Sequence, residues 1–214
     1  MLFRSFRSAD WGFAKPFSIG WWAIASDDHG PIPRGAIVRY REWYGSNGTP
    51  NVGLRLTAED VAAGIKEREE GEAIAYGVID PAAFAEDGGP SIAERMSREP
   101  NRIHWRPADN KRVGRSGAIG GWDMMRARIG GQDGTPRLFV FDTCRDFIRT
   151  VPVLQHDPDR AEDLDTDAED HAADEARYAC MSRPWTPEPK TPETKRPDDY
   201  RQHRGSGYGE MGVI

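Results

Sequence analysis

The stretch from Asp167 to Tyr178 constrains this chain more than any other, because read as a helix it has two incompatible sides. At 3.6 residues per turn, Asp167, Asp170, His171 and Asp174 fall on one stripe and Ala172, Ala173, Ala176 and Ala179 on another. The alanine side lets the helix backbone come close to a sheet. The carboxylate side repels itself, by tenths of a kcal/mol per like-charge pair in the open and by more where it is partly buried. A divalent cation held by oxygen ligands would offset that repulsion, and Asp with a histidine nearby suits magnesium or manganese. A wet acidic face is the plainer alternative, and this stretch alone does not decide between them.

Charge elsewhere bears on the choice. Of 214 residues, 37% are hydrophobic and 30% charged, and the polar excess gathers after about residue 155. One globular domain over residues 1–182 is therefore expected, followed by a proline-rich, charged, disordered tail over 183–214. The absence of a bilayer-length apolar run or a signal segment predicts a soluble, non-secreted protein with no membrane role. Cys144 and Cys180 lack metal-ligand spacing and read as reduced, semi-buried thiols at a strand end and in a helix. The net charge of −6 argues against a general nucleic-acid binder. Its distribution is uneven, with Arg95, Arg98, Arg102, Arg106, Lys111, Arg112, Arg115, Arg126 and Arg128 crowded into one region. The charged residues from 157 to 175 are acidic, with Arg160 the lone exception. Such a chain could hold a phosphate backbone while cutting it; surface pairing of opposite charges is the alternative.

Taken in order, residues 2–10, 17–25 and 35–44 read as three strands of an antiparallel meander, the first ending at Asp10. Thr57 caps a helix with Asp60 in the capping position, and Gly71 ends it. Residues 73–79 form an apolar run expected to be a central strand buried on both faces, stopped at Asp80-Pro81. Ser91 opens a short helix, and residues 102–106 look strand-like. Residues 118–129 carry Ile119, Trp122, Met125 and Ile129 at helical spacing, residues 138–141 form a buried strand, and 146–154 a helix broken near Pro152. The acidic helix closes the domain.

That order is the order of the RNase H-like α/β fold, a mixed central sheet in which an antiparallel meander is followed by parallel strands with flanking helices. There, carboxylates at adjacent strand ends and on a late helix converge. Phosphodiester hydrolysis needs such convergence, since two metal ions roughly 3.5–4 Å apart must activate water and steady the leaving oxygen. Asp10, Asp80 and Asp174 occupy the matching points.

At these residues the chain resembles the nuclease domain of the large terminase subunit of tailed bacteriophages. The resemblance lies in Arg7-Ser8-Ala9-Asp10-Trp11-Gly12 with Pro16-Phe17, Arg41-Glu42-Trp43-Tyr44-Gly45, Ile79-Asp80-Pro81 with Phe84, residues 110–114, and Asp170-His171-Ala172-Ala173-Asp174 with Arg177-Tyr178. It implies a metal-dependent endonuclease that cuts double-stranded viral DNA during genome packaging in the host cytoplasm. Two magnesium or manganese ions would be held by Asp10, bridging, and by Asp80 and Asp174, with His171 as an auxiliary ligand. Arginines of the basic region, among them Arg106 and Arg112 with Lys111 and Arg115, would contact DNA phosphates. A packaging ATPase, a small terminase subunit and the portal are the implied partners.

Two departures stand out. No Gly-x-x-x-x-Gly-Lys-Ser/Thr run occurs, so the chain is expected to be a domain of a larger protein or to rely on an ATPase encoded elsewhere. Glu175 stands where the family tends to have a small residue. Helical geometry sets it roughly 100° from Asp174, which favours an outward direction over a fourth ligand. Another RNase H-like nuclease such as a junction resolvase, or a non-catalytic docking module for portal or small terminase, are the competing readings.

Overall fold

The strand from Arg4 to Asp10 (β1) is buried from Phe6 to Ala9, and the rest of the sheet is built outward from it. A computed structural model describes residues 4–114, 117–131, 134–160, 162–165 and 168–185. The tail expected from 183 onward lies outside the described residues from 186, as do Arg115 and Asp167.

On one side β1 pairs antiparallel with β2 (Ser18–Ile24), from Arg4 opposite Ile24 to Asp10 opposite Ser18. Strand β3 (Ile37–Tyr44) continues the meander. On the other side β1 runs parallel to β4 (Ile74–Ile79), with Ala9 beside Ile79. A two-residue strand, β5 (Arg106–Pro107), extends β4 in parallel, and β6 (Leu138–Val140) extends β3 in parallel. The spatial order β5-β4-β1-β2-β3-β6 is the mixed RNase H-like sheet expected from the sequence.

Helices cover both faces. Helix α1 (Ala58–Arg68) begins with the anticipated capping box, Asp60 N–H donating to Thr57 Oγ1 at 3.2 Å and Thr57 N–H to Asp60 Oδ2 at 3.2 Å. Its buried Val61, Ala62 and Ile65, together with Met96 of the Ser91-capped α2 (Ile92–Ser97), pack against Ile19, Trp21 and Ile79. The opposite face carries α3 (Gly121–Gly130), α4 (Arg145–Thr150) and α5 (His171–Ser182) over Phe6, Trp22 and Ile37. Among the described residues no helix is long and apolar enough to cross a membrane.

Several expectations are corrected. Residues 102–106 contribute strand only at Arg106, and so short a β5 leaves the first half of β4 partly uncovered rather than buried on both faces. Helix α3 starts at Gly121, where the Arg177 side chain lies directly against the glycine, so Ile119 stays outside the helix. Ile119 and Ile129 are 52% and 47% exposed, and the inward side chains are Trp122, Met124 and Met125. The acidic helix starts at His171, with Asp170 as its N-cap. Cys144 and Cys180 are fully buried free thiols, Cys144 at the N-terminus of α4; burial pushes them up to about 11 and about 12.

The largest correction concerns Glu175. It does not point outward: it is wholly buried and ion-paired to the equally buried Arg39 of β3. Ser8 Oγ donates to it, and Trp22 Nε1 donates to Ser8 Oγ at 2.7 Å and to Glu175 Oε1 at 3.1 Å. The rotation away from Asp174 is real, but α5 lies flat on the sheet, so that rotation leads into the core above Gly20. A Cβ on Gly20 would strike both charged groups. Arg39 reaches on to Glu42 at 3.6 Å, whose carboxylate accepts the backbone N–H groups of Asp146 and Phe147 at the start of α4. Burial alone would lower the Arg39 guanidinium, but Glu175 and Glu42 outweigh it and hold the charge firmly.

Removing one partner of a buried pair strands the other, at a cost of about 3–5 kcal/mol. Arg39→Ala and Glu175→Ala are each expected to lower the unfolding free energy by that order in urea titrations. A loss under about 1 kcal/mol would mean the pair does not seat α5.

Candidate active site

Two carboxylates begin side by side. Parallel strands lie roughly 4.8 Å apart, and β1 and β4 are in register at Ala9 and Ile79, so the next residues, Asp10 and Asp80, leave adjacent strand ends. Asp80 N–H still reaches Ala9 O at 3.3 Å, and then Pro81 ends the ladder. Asp80 caps the short 3-10 turn that follows, accepting Ala82 N–H at 2.7 Å. The third acid, Asp174, sits in the first turn of α5, which the alanine side holds against β1 and β2: Ala172, Ala173, Ala176 and Ala179 are at most 1% exposed.

Helix α5 also supplies one donor to each acid. His171 Nδ1 lies 3.1 Å from Asp10 Oδ2. Tyr178 Oη donates to Asp80 Oδ2 at 2.6 Å. Arg177 donates through Nε and Nη2 to Asp174 Oδ1 at 2.9 and 2.7 Å. His171, Asp174 and Tyr178 stand at i, i+3 and i+7, one stripe of a helix aimed at the strand ends.

The electrostatics show that the acids share one pocket. Burial pushes the Asp10 carboxyl up to about 7; the His171 hydrogen bond opposes the shift, and the Asp174 and Asp80 carboxylates add to it. Burial and Asp174 likewise raise Asp170. Burial pulls His171 down, but Asp10 and Asp170 outweigh it and hold the imidazole above its ordinary value. Tyr178 is raised by burial and by the fields of Asp10 and Asp174, so it stays a phenol and a donor. Among the described residues no three His, Cys, Asp or Glu side chains, as placed, enclose a metal ion. The donors available to one are the oxygens of Asp10, Asp80 and Asp174 and the buried Nε2 of His171, which has no hydrogen-bond partner among the described residues.

The basic region is largely neutralised by its neighbours. Arg95 pairs with Glu59, Arg98 with Glu94, Arg102 with Glu99 and Arg126 with Asp123. Arg128 is buried against backbone carbonyls. Of the residues assigned to DNA, Arg112 lies 2.9 Å from Asp163, 3.5 Å from Asp170 and 3.8 Å from Asp174, a counterion to the acids. Lys111 pairs with Asp109 at 3.7 Å, and Arg106 is exposed at the sheet edge. Sequence reasoning gave no role to Arg177 and Tyr178 and missed that of Arg112. The i+4 spacing of Asp174 and Tyr178 is the signal that could have placed the tyrosine.

No protein-family model matches the chain, and no curated protein matches it in sequence. Solved structures do. The large terminase from a thermophilic bacteriophage superposes over 84% of this chain and 39% of its own, with a TM-score of 0.57 and 15% identity. The same terminase in complex with ATP-gamma-S gives 0.57 and 16% over 83% of this chain. The P22 large terminase nuclease domain gives 0.55 and 16% over 85% of this chain and 81% of that one. The fold is that of a terminase nuclease domain. The chain spans about two fifths of the length of the whole large terminases it matches, and four fifths of the isolated nuclease domain.

Within this fold the Asp10 shift has a pH signature. An acid held above its unfolded value binds its proton more tightly when folded, so stability falls as pH rises from about 4 to about 7, and His171, itself held above its ordinary value, extends the fall beyond. Urea unfolding of EDTA-treated protein across pH 4–8 is expected to show that decline, and Asp10→Asn to flatten it. Parallel profiles for the two proteins would contradict the shift.

Proposed function

We propose that this domain is a metal-dependent endonuclease that cuts double-stranded DNA during phage genome packaging. The observation that carries the reading is the meeting of Asp10, Asp80 and Asp174 from β1, β4 and α5 at one sheet end, so crowded and dry that the Asp10 carboxyl is driven to about 7. Carboxylates in that state call for a cation, and a set of hard oxygen donors suits magnesium or manganese. The fold shared with large terminase structures supports the same reading.

Asp10 feels both of the other acids; Asp10, Asp80 and Asp174 would hold the ions, with His171 Nε2 in reserve. A bound pair of divalent ions would supply a water activated as nucleophile and charge to steady the leaving oxygen. The chain's own residues do the positioning. Tyr178 fixes one oxygen of Asp80, Arg177 fixes one of Asp174, and Arg112 balances the surplus negative charge of the neighbouring acids. In its biological setting, the host cytoplasm, the domain would act beside a packaging ATPase, a small terminase subunit and the portal.

Asp10→Ala is expected to reduce nicking and linearisation of supercoiled plasmid in manganese by at least about a hundredfold, with an unchanged or raised melting temperature because a dry carboxylate is removed. Full residual cutting would overturn the assignment of Asp10. Manganese titrated calorimetrically into the wild-type chain should bind, and binding should fall in Asp174→Ala. A chain that takes up no metal and cuts nothing is a docking module instead.

A further inference from the structure

Away from the acids, a cleft of about 470 Å³ opens beside the β5 edge of the sheet. Three arginines line it: Arg4 from the start of β1, Arg106 from β5 and Arg183 from just beyond α5. Most arginines of the basic region are paired with carboxylates, but these three have no ion pair among the described residues. The one carboxylate in the lining, Asp109, is engaged by Lys111 at 3.7 Å. Three guanidinium groups around one opening repel each other unless an anion sits between them.

Two of them are held in place by Tyr76. Its ring stacks on Phe6, centroids 5.1 Å apart and planes 6° apart, and carries Arg106 at 5.4 Å and Arg183 at 5.1 Å. Arg183 Nε donates to Tyr76 Oη at 2.8 Å, and Tyr76 Oη lies 3.3 Å from Ser182 Oγ. That leaves the two terminal nitrogens of Arg183 without a protein acceptor among the described residues. A planar fork so presented matches the oxygens of a phosphate.

We infer that Arg4, Arg106 and Arg183 form a phosphate subsite that grips the DNA backbone at a fixed distance from the cleavage centre, an inference that rests on the DNA-cutting reading above. Two measures give the distance. From Asp174 to Ser182 is eight helical residues, about 12 Å at 1.5 Å per residue. From Tyr76 to Asp80 is four strand residues, about 13 Å at 3.3 Å per residue. Along one strand of a duplex that is about four nucleotides at 3.4 Å each. The subsite therefore holds a phosphate a few nucleotides from the bond to be cut.

The test is binding of a fluorescent DNA duplex to the full chain in EDTA, read by anisotropy across a salt series. The Arg4→Ala/Arg106→Ala double variant should bind on the order of tenfold more weakly near 0.15 M salt, with a log–log salt slope shallower by about two. Arg98→Ala, which removes an arginine already paired with Glu94, should bind as wild type. Both substituted arginines lack carboxylate partners, so the melting temperature should hold. Unchanged affinity and slope would overturn the subsite. So would inorganic phosphate binding the cleft while the duplex slope stays the same, which would make it a small-anion site. Cleavage in manganese is scored separately. Slope loss without wild-type cutting keeps the subsite and sinks the nuclease; cutting with an unchanged slope does the reverse.

Discussion

The pairing of Glu175 with Arg39, shut away from water between α5 and the sheet, sets the position of everything else at the site. A buried charge pair adds little stability against an apolar replacement, but it tolerates only one alignment of its partners. Here the alignment is that of α5 over β1 and β2, because Ser8 and Trp22 bind the same carboxylate and Gly20 leaves room for it. Through Glu42 the same chain of charges reaches the first turn of α4. The neighbouring residue, Asp174, consequently meets the strand ends in one register.

Over that frame two opposed demands are met by one helix. Its alanines require close packing, which dries the pocket; its acids are made costly by that dryness. Asp10 registers the conflict most sharply, since burial and two carboxylates act on it together. The donors from His171, Arg177 and Tyr178 relieve part of it, and Arg112 relieves more from the side.

Much of this could be read from residue types and their spacing. The alternating runs, the Thr57 cap and the Asp80-Pro81 stop are local signals, and the elements they imply are present with ends moved by a few residues. The small-residue face of α5 was equally plain. What could not be read was long-range. Whether Glu175 faces water depends on what lies beneath α5, and Gly20 and Arg39 are well over a hundred residues away in the chain. Ile119 and Ile129 had the right spacing for a core face, yet α3 begins only at Gly121 and turns Trp122, Met124 and Met125 inward. The basic segment looked like a DNA surface by count, although most of its arginines are matched to nearby glutamates and aspartates.

Because the grips on Asp10, Asp80 and Asp174 all project from α5, the three carboxylates are mechanically ganged. Sliding or tilting that one rod would part His171 from Asp10 and Tyr178 from Asp80 in a single movement, while carrying Asp174 and Arg177 along as a unit.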